Sequence, residues 1–166
     1  MRDRAGQAAA QWARERPDLD ALPMVVIGRL LEAAQLIQRD GLTPFLAAHG
    51  LQHGEFDVLM TLRRAGAPHR LTPTALYEAA MISSGGMTGR LDRLEKAGLV
   101  ARHANPADRR GVLVGLTDQG LSLIDSILEP HVANEDALLA GLDRAERQAL
   151  DGLLAKLLAG LPPVGD

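Results

Sequence analysis

Between residues 99 and 116 the helical spacing of apolar residues stops. Residues 99–103 read as a strand, Asn105-Pro106-Ala107-Asp108 as a turn, and residues 112–116 as a returning strand. The tip of this hairpin is basic, with Arg109-Arg110 next to the turn. One hairpin cannot build a sheet-based core by itself. The fold class is therefore mainly α with a small β-hairpin, and the core must come from helices.

The helices are marked by their caps and breakers. Residues 5–16 form a short helical stretch containing Trp12, broken by Pro17. Asp20 can cap a long helix reaching about His49, with Gly50 in the stopping position. Ile27, Leu30, Leu31, Ala34 and Ile37 give it an apolar face. A helix over 54–64 ends at Ala65-Gly66. Thr72 caps a short helix with Pro73 at its first position, and Ser83 or Ser84 caps another that ends at Gly98. Thr117 caps a helix through Leu128, which Pro130 should kink or divide. A last helix opens at Asp143, with Glu146 completing a capping-box pattern, and ends at Gly160. With one Trp, one Tyr and two Phe in 166 residues, the core must be aliphatic. This length supports one domain, spanning 1–166.

Charge is unevenly placed. The net charge is −3, yet residues 61–117 hold nine Lys/Arg against four Asp/Glu, a local +5. A basic middle in an acidic frame points to one surface facing a polyanion. The chain has no cysteine, which excludes disulfides, thiolate zinc sites and thiol redox sensing. The five histidines are scattered, and His49 and His53 straddle a helix end, so no metal or cofactor is expected. No catalytic constellation stands out, so an enzyme is not expected. Arg2, Asp3 and Arg4 do not open a signal peptide, and no apolar run is long enough for a bilayer. The expectation is a cytoplasmic protein with no membrane partner.

Short helix, turn, helix and basic hairpin are together the parts of a winged helix-turn-helix. On the helix ending at Gly98, at about 100° per residue, Met87, Leu91 and Leu94 form a narrow stripe that must face the core. Gly85, Thr88 and Gly89 fall on the far side, near the N-terminus. Ser83-Ser84-Gly85-Gly86 can also be read as a flexible loop. Glycines are poor helix formers, and close approach to another molecule would justify them here. Arg63, Arg70, Arg93, Arg102 and Arg109 are candidate backbone contacts to DNA, and Thr88 with Ser84 could reach base edges. Thr72, Ser83 and Gly86 complete the candidate DNA face.

The stretch from Ser83 to Val100, SSGGMTGRLDRLEKAGLV, resembles the recognition helix and first wing strand of the MarR family. Asp108-Arg109-Arg110-Gly111, followed by Leu116-Thr117 and Gly120, resembles its wing signature. The resemblance covers roughly residues 20–160. It implies that Asp108 stiffens the wing and that Arg110 enters the minor groove, with Arg109 beside it on phosphate. It also implies a homodimer built from helices within 5–49 and 118–160, with 54–117 as the DNA-binding lobe. The partner would be double-stranded DNA carrying a palindromic operator.

A narrower resemblance concerns a ligand. Residues 12–20 and 54–59 look like the urate-responsive, PecS-type branch, with matching residues at Trp12, Asp57, Arg64 and Arg90. Their spacing can be weighed independently. Asp57 and Arg64 are seven apart, on one helix face and about 10 Å apart along its axis. Asp57 sits among Phe56, Val58 and Leu59 and should need a partner. Arg90 lies about 60° off the buried stripe, at the edge between core and groove. An Asp57–Arg90 pair follows, either merely structural or part of a sensor for urate or a similar small aromatic anion. The expected function is a DNA-binding transcriptional regulator, a repressor released by that anion. Two other readings stay open: a regulator for a phenolic acid or antibiotic, and a winged helix that binds protein instead of DNA.

Overall fold

The computed structural model describes residues 3–80 and 86–162, with Arg109 and Arg110 described by backbone alone. Helix α1 (Arg4–Glu15) and α2 (Leu22–Leu36) lead into a π-helical segment (Ile37–Leu42) and α3 (Thr43–Ala48). Then come α4 (His53–Arg64), β1 (Arg70–Leu71), α5 (Pro73–Ala79) and α6 (Met87–Lys96). Strands β2 (Val100–Asn105) and β3 (Asp108–Leu116) precede α7 (Asp118–Leu138) and α8 (Arg144–Ala159). The chain divides into two compact units, Met1–Pro44 and Phe45–Asp166.

In the first unit α1 packs on α2. Asp3 caps α1 by accepting from the Gly6 amide at 3.0 Å and also takes the Arg29 guanidinium. The Arg29 bond, then the Gly6 amide, hold the Asp3 carboxyl below its ordinary pKa. Arg4 donates to Glu32 at 2.6 Å, a second tie between the helices. Helix α1 stops two residues before Pro17, as expected. The Asp20 carboxylate accepts from the Leu22 amide at 2.9 Å, so the long helix starts two residues after its anticipated cap. That helix is not α throughout. At its far end the Thr43 amide bonds to the Gln38 carbonyl, five residues back, and Gly41 is buried in the wide turn. The extra residue shifts the face presented by every later side chain, which a fixed 3.6-residue count does not register.

The second unit is organised around α4. Val58, Leu59 and Leu62 have no exposed surface, and α4 touches α5, α6, α7 and β3. Met87, Leu91 and Leu94 of α6 are buried, as their spacing requires. Ile124 and Ile127 of α7 and Val114 of β3 close the same core.

The sheet is antiparallel in the order β1-β3-β2. Strand β1 adds two residues that the hairpin reading lacked, pairing Arg70 with Gly115 and Leu71 with Val114. Two residues are too few to show a period. The hairpin itself pairs Val100 with Leu116 through Ala104 with Val112, and the ladder becomes irregular at Asn105.

Of the two outcomes expected of Pro130, a kink or a division, α7 shows no division; the helix runs 21 residues through it. The bond lost is the one to the Ser126 carbonyl. Both residues are exposed, so water can satisfy that oxygen. Helix α8 opens with the anticipated box, Asp143 accepting from Glu146 N at 2.9 Å and Glu146 accepting from Asp143 N at 2.8 Å.

The wing is locked to α7 at one joint. Thr117 caps α7 through the Gly120 amide at 3.0 Å, while its hydroxyl donates to the Gly98 carbonyl at 2.6 Å. Gly120 is buried, and a Cβ there would collide with the Leu99 carbonyl oxygen and stand 2.9 Å from its carbon. Backbone cannot yield as a flexible side chain can. Gly120→Ala should therefore cost at least about 1–3 kcal/mol. That corresponds to about 2–4 °C of melting temperature per kcal/mol, read by thermal denaturation.

Candidate nucleic-acid interface

Helix α6 has four distinct sides. Taking 100° per residue, the buried stripe of Met87, Leu91 and Leu94 lies opposite Gly89 and Lys96. Arg90 and Arg93 occupy one flank, and Asp92 and Glu95 the other. Each flank is tied to a neighbour.

On the first flank, Arg90 and Arg93 meet the opening turn of α4. The Arg90 side chain lies against Gly54, where a Cβ would stand 2.9 Å from its Cδ and 3.0 Å from its Cζ. Any side chain at 54 would displace it. Arg93 Nε donates to Glu55 Oε1 at 2.7 Å. The other oxygen, Oε2, accepts from the Gln52 amide at 2.9 Å as part of a capping box. On the second flank, Arg102 of β2 donates to Asp92 at 2.6 Å and also pairs with Glu95. The bond to Asp92 and the charge of Glu95 hold the Arg102 pKa above its ordinary value, against desolvation.

Other basic residues of the lobe also have internal partners. Arg63 donates to Asp125 of α7 at 2.6 Å. Arg64 donates to Thr61 Oγ1 at 3.2 Å and to the carbonyl of Ala79, the last residue of α5. The Arg70 stem crosses Gly115, where a Cβ would come within 2.6 Å of its Cγ.

These placements sort the sequence candidates. Thr72 caps α5 by accepting from the Ala75 amide at 3.1 Å. Gly86 precedes α6 with φ 85°, a left-handed conformation that suits glycine. Its backbone therefore accounts for that glycine without a partner molecule. Gly89 is different: its nearest contact would be Arg93 at 3.7 Å, so no packing among the described residues requires a glycine there. Thr88 is exposed at the start of α6. Ser83, Ser84 and Gly85 lie outside the described residues, as do the side chains of Arg109 and Arg110. At the wing tip Asn105 Oδ1 accepts from the Ala107 amide at 3.0 Å. Gly111 leaves room there for Asn105 and Asp108, each of which would stand 3.1–3.2 Å from a Cβ.

Of the ligand candidates, Arg90 is seated one turn from Asp57, which is half-buried. Arg64 is at the opposite end of α4, tied to α5. Trp12 is on α1 in the other compact unit and is 44% exposed. Sequence reasoning missed Glu55, although Gln52-x-x-Glu55 fits a capping box. It also missed Lys96, exposed on the outward side of α6 and readable from the same helical angles.

A flanked helix with an outward glycine, beside a hairpin wing, is the arrangement of a winged helix-turn-helix. The MarR family signature matches residues 49–111. The transcriptional regulator PecS of Dickeya dadantii is 44% identical over 147 residues, covering 89% of this chain and 88% of PecS. The chain belongs to the MarR family. Among solved structures, the MarR family regulator Sco3205 of Streptomyces coelicolor, in complex with DNA, matches at a TM-score of 0.77 and 28% identity. The match covers 88% of this chain and 91% of Sco3205. BpsR of Bordetella bronchiseptica, whose DNA binding is regulated by 6-hydroxynicotinic acid, matches at 0.71 and 29%, covering 82% and 94%. These relatives are regulators, not enzymes, and this MarR protein is a DNA-binding transcriptional regulator of the PecS type. Among the described residues, no helix is long and apolar enough to cross a membrane.

The outward side of α6 generates a prediction. Lys96→Ala should weaken operator binding and lower the slope of log affinity against log salt by about 0.9, the share of one released counterion. A mobility-shift titration at several salt concentrations measures both.

Proposed function

We propose that this regulator acts as a homodimeric repressor on a palindromic operator and is released by a small aromatic anion such as urate. The observation that carries the ligand reading is the seat of Arg90 on Gly54, one turn from Asp57, at the contact between α4 and the recognition helix. An anion that reorganises charge there acts directly on the element that reads DNA. Similarity to PecS, and to BpsR with its aromatic acid, supports this class of ligand. On DNA, Thr88 and Gly89 approach the major groove and Arg110 the minor groove, with Arg70 and Arg109 on phosphates. Ser83, Ser84, Gly85 and Gly86 precede that helix and share its approach to DNA.

Release requires the anion to bind the DNA-incompetent form more tightly than the bound form. Arg64, at the other end of α4, is the cation proposed to pair with the anion, whose charge then disturbs the Asp57–Arg90 side of the helix. Its bond to the Ala79 carbonyl also holds the end of α5, so an anion would compete for the guanidinium that fixes this helix.

The apolar exposure supports the dimer. Leu153, Leu158 and Leu161 of the C-terminal segment are 66%, 68% and 54% exposed, and Leu22, Val26 and Leu31 of α2 are 63%, 50% and 64% exposed. Surfaces this apolar are rarely left to water.

In an operator-release titration with urate, Arg64→Ala should move the midpoint up by about one to two decades, since a charge-assisted bond contributes roughly 1.5–3 kcal/mol. Trp12→Ala should shift it less, and 6-hydroxynicotinic acid serves as the alternative probe. Equal midpoints for urate in wild type and both variants would refute the urate site proposed at Arg64 and Trp12 and leave DNA regulation intact. Separately, Leu153→Asp with Leu158→Asp should give a folded monomer by light scattering, because neither side chain is buried in the single chain. A dimer that persists would place the interface elsewhere.

A further inference from the structure

We propose that Arg93 is a positioning residue that holds the recognition helix through Glu55, and that it is not a phosphate contact. Glu55 is 7% exposed, and both of its oxygens are engaged. One caps α4, where the helix N-terminus favours an anion, and the other receives Arg93 Nε. A buried carboxylate that loses its cationic partner is costly, so Glu55 and Arg93 act as a unit. Arg93 Nη2 also reaches Gln52 Oε1 at 3.4 Å, which aims the guanidinium at the cap from two sides.

Geometry explains why this pair sets the orientation of α6. Its hydrophobic stripe fixes depth but leaves rotation about the helix axis weakly determined, because leucines and a methionine can repack. Arg93 restrains rotation on one flank, and the Arg102 bonds to Asp92 and Glu95 restrain it on the other. A rotation that carried Arg93 toward DNA would strand Glu55 in the interior. The same rotation would pull Asp92 and Glu95 from the wing.

Simple electrostatics predicts the opposite outcome for one substitution, which makes the proposal testable. Glu55→Gln removes a negative charge from a DNA-binding lobe and keeps a residue able to complete the capping box. If Arg93 serves phosphate, this change should leave operator binding equal or tighter. If Arg93 positions α6 through Glu55, operator binding should weaken by about tenfold, or about 1.4 kcal/mol. Arg93→Gln should weaken it by the same factor, and the double variant should be no worse than either single one. The salt slope should stay at its wild-type value in all three, whereas loss of a phosphate contact would reduce it by about 0.9. Thermal melts report folding alongside. Should a glutamine variant not fold, Arg93→Lys decides the question. It keeps the charge a phosphate needs but lacks Nε, so it should bind like Arg93→Gln rather than like wild type. Unweakened binding by Glu55→Gln, additive losses, a reduced slope in Arg93→Gln or a wild-type Arg93→Lys would each overturn the proposal.

Discussion

Helix α4 is enclosed along most of its length, and that burial governs how the lobe is wired. Val58, Leu59 and Leu62 are fully enclosed, with Phe56 and Thr61 nearly so. A helix in this position can place most of its charged groups only in its first and last turns. It does so at both ends. The opening turn receives Arg90 and Arg93 from α6. The closing turn sends Arg63 to Asp125 of α7 and Arg64 to the last carbonyl of α5. Hydrophobic burial provides most of the stabilisation, since exposed ion pairs contribute little each. The charged ends tie α4 to α5, α6 and α7.

This division of labour changes the meaning of the basic middle. A count of nine cations over residues 61–117 suggests a broad phosphate-binding surface. In the folded chain, Arg63, Arg93 and Arg102 face Asp125, Glu55, Asp92 and Glu95. Two of those acids, Glu55 and Asp125, come from outside the segment. Net local charge therefore overstates the number of cations available to release counterions. Lys96 on the outward side of α6 remains well placed for that role, with the wing arginines as its proposed companions.

Much of the fold was legible because it is written locally. Thr72, Thr117 and Asp143 cap the helices that follow them, and Met87, Leu91 and Leu94 are buried as their spacing requires. Features that depend on distant partners were not legible. Strand β1 exists because β3 has an open edge opposite Arg70 and Leu71, not because two residues announce a strand. Pro130 reads as a breaker, yet the missing hydrogen bond falls where water can replace it. The arginine pairings span 38 residues for Arg93 and 62 for Arg63, beyond any periodic pattern. Gly86 and Gly89 looked equivalent in sequence. A positive φ accounts for the first, while the second meets no packing constraint among the described residues.

The two ends of α4 also bear on how a ligand would act. At the closing turn, Arg64 gives a hydrogen bond to a neutral carbonyl. An anion can compete there, because it adds a Coulombic attraction to the guanidinium that a neutral carbonyl does not offer. At the opening turn, Arg93 is matched by a buried carboxylate, and an outside anion gains nothing by displacing a charge already in place. The same lobe thus offers one arginine that can be captured and one that resists capture. On the proposed reading, the end of α5 is the element that yields. The grip of Glu55 on α6 is the element against which that movement acts, so displacement at one side of the helix-turn-helix becomes a change in the angle between its two helices.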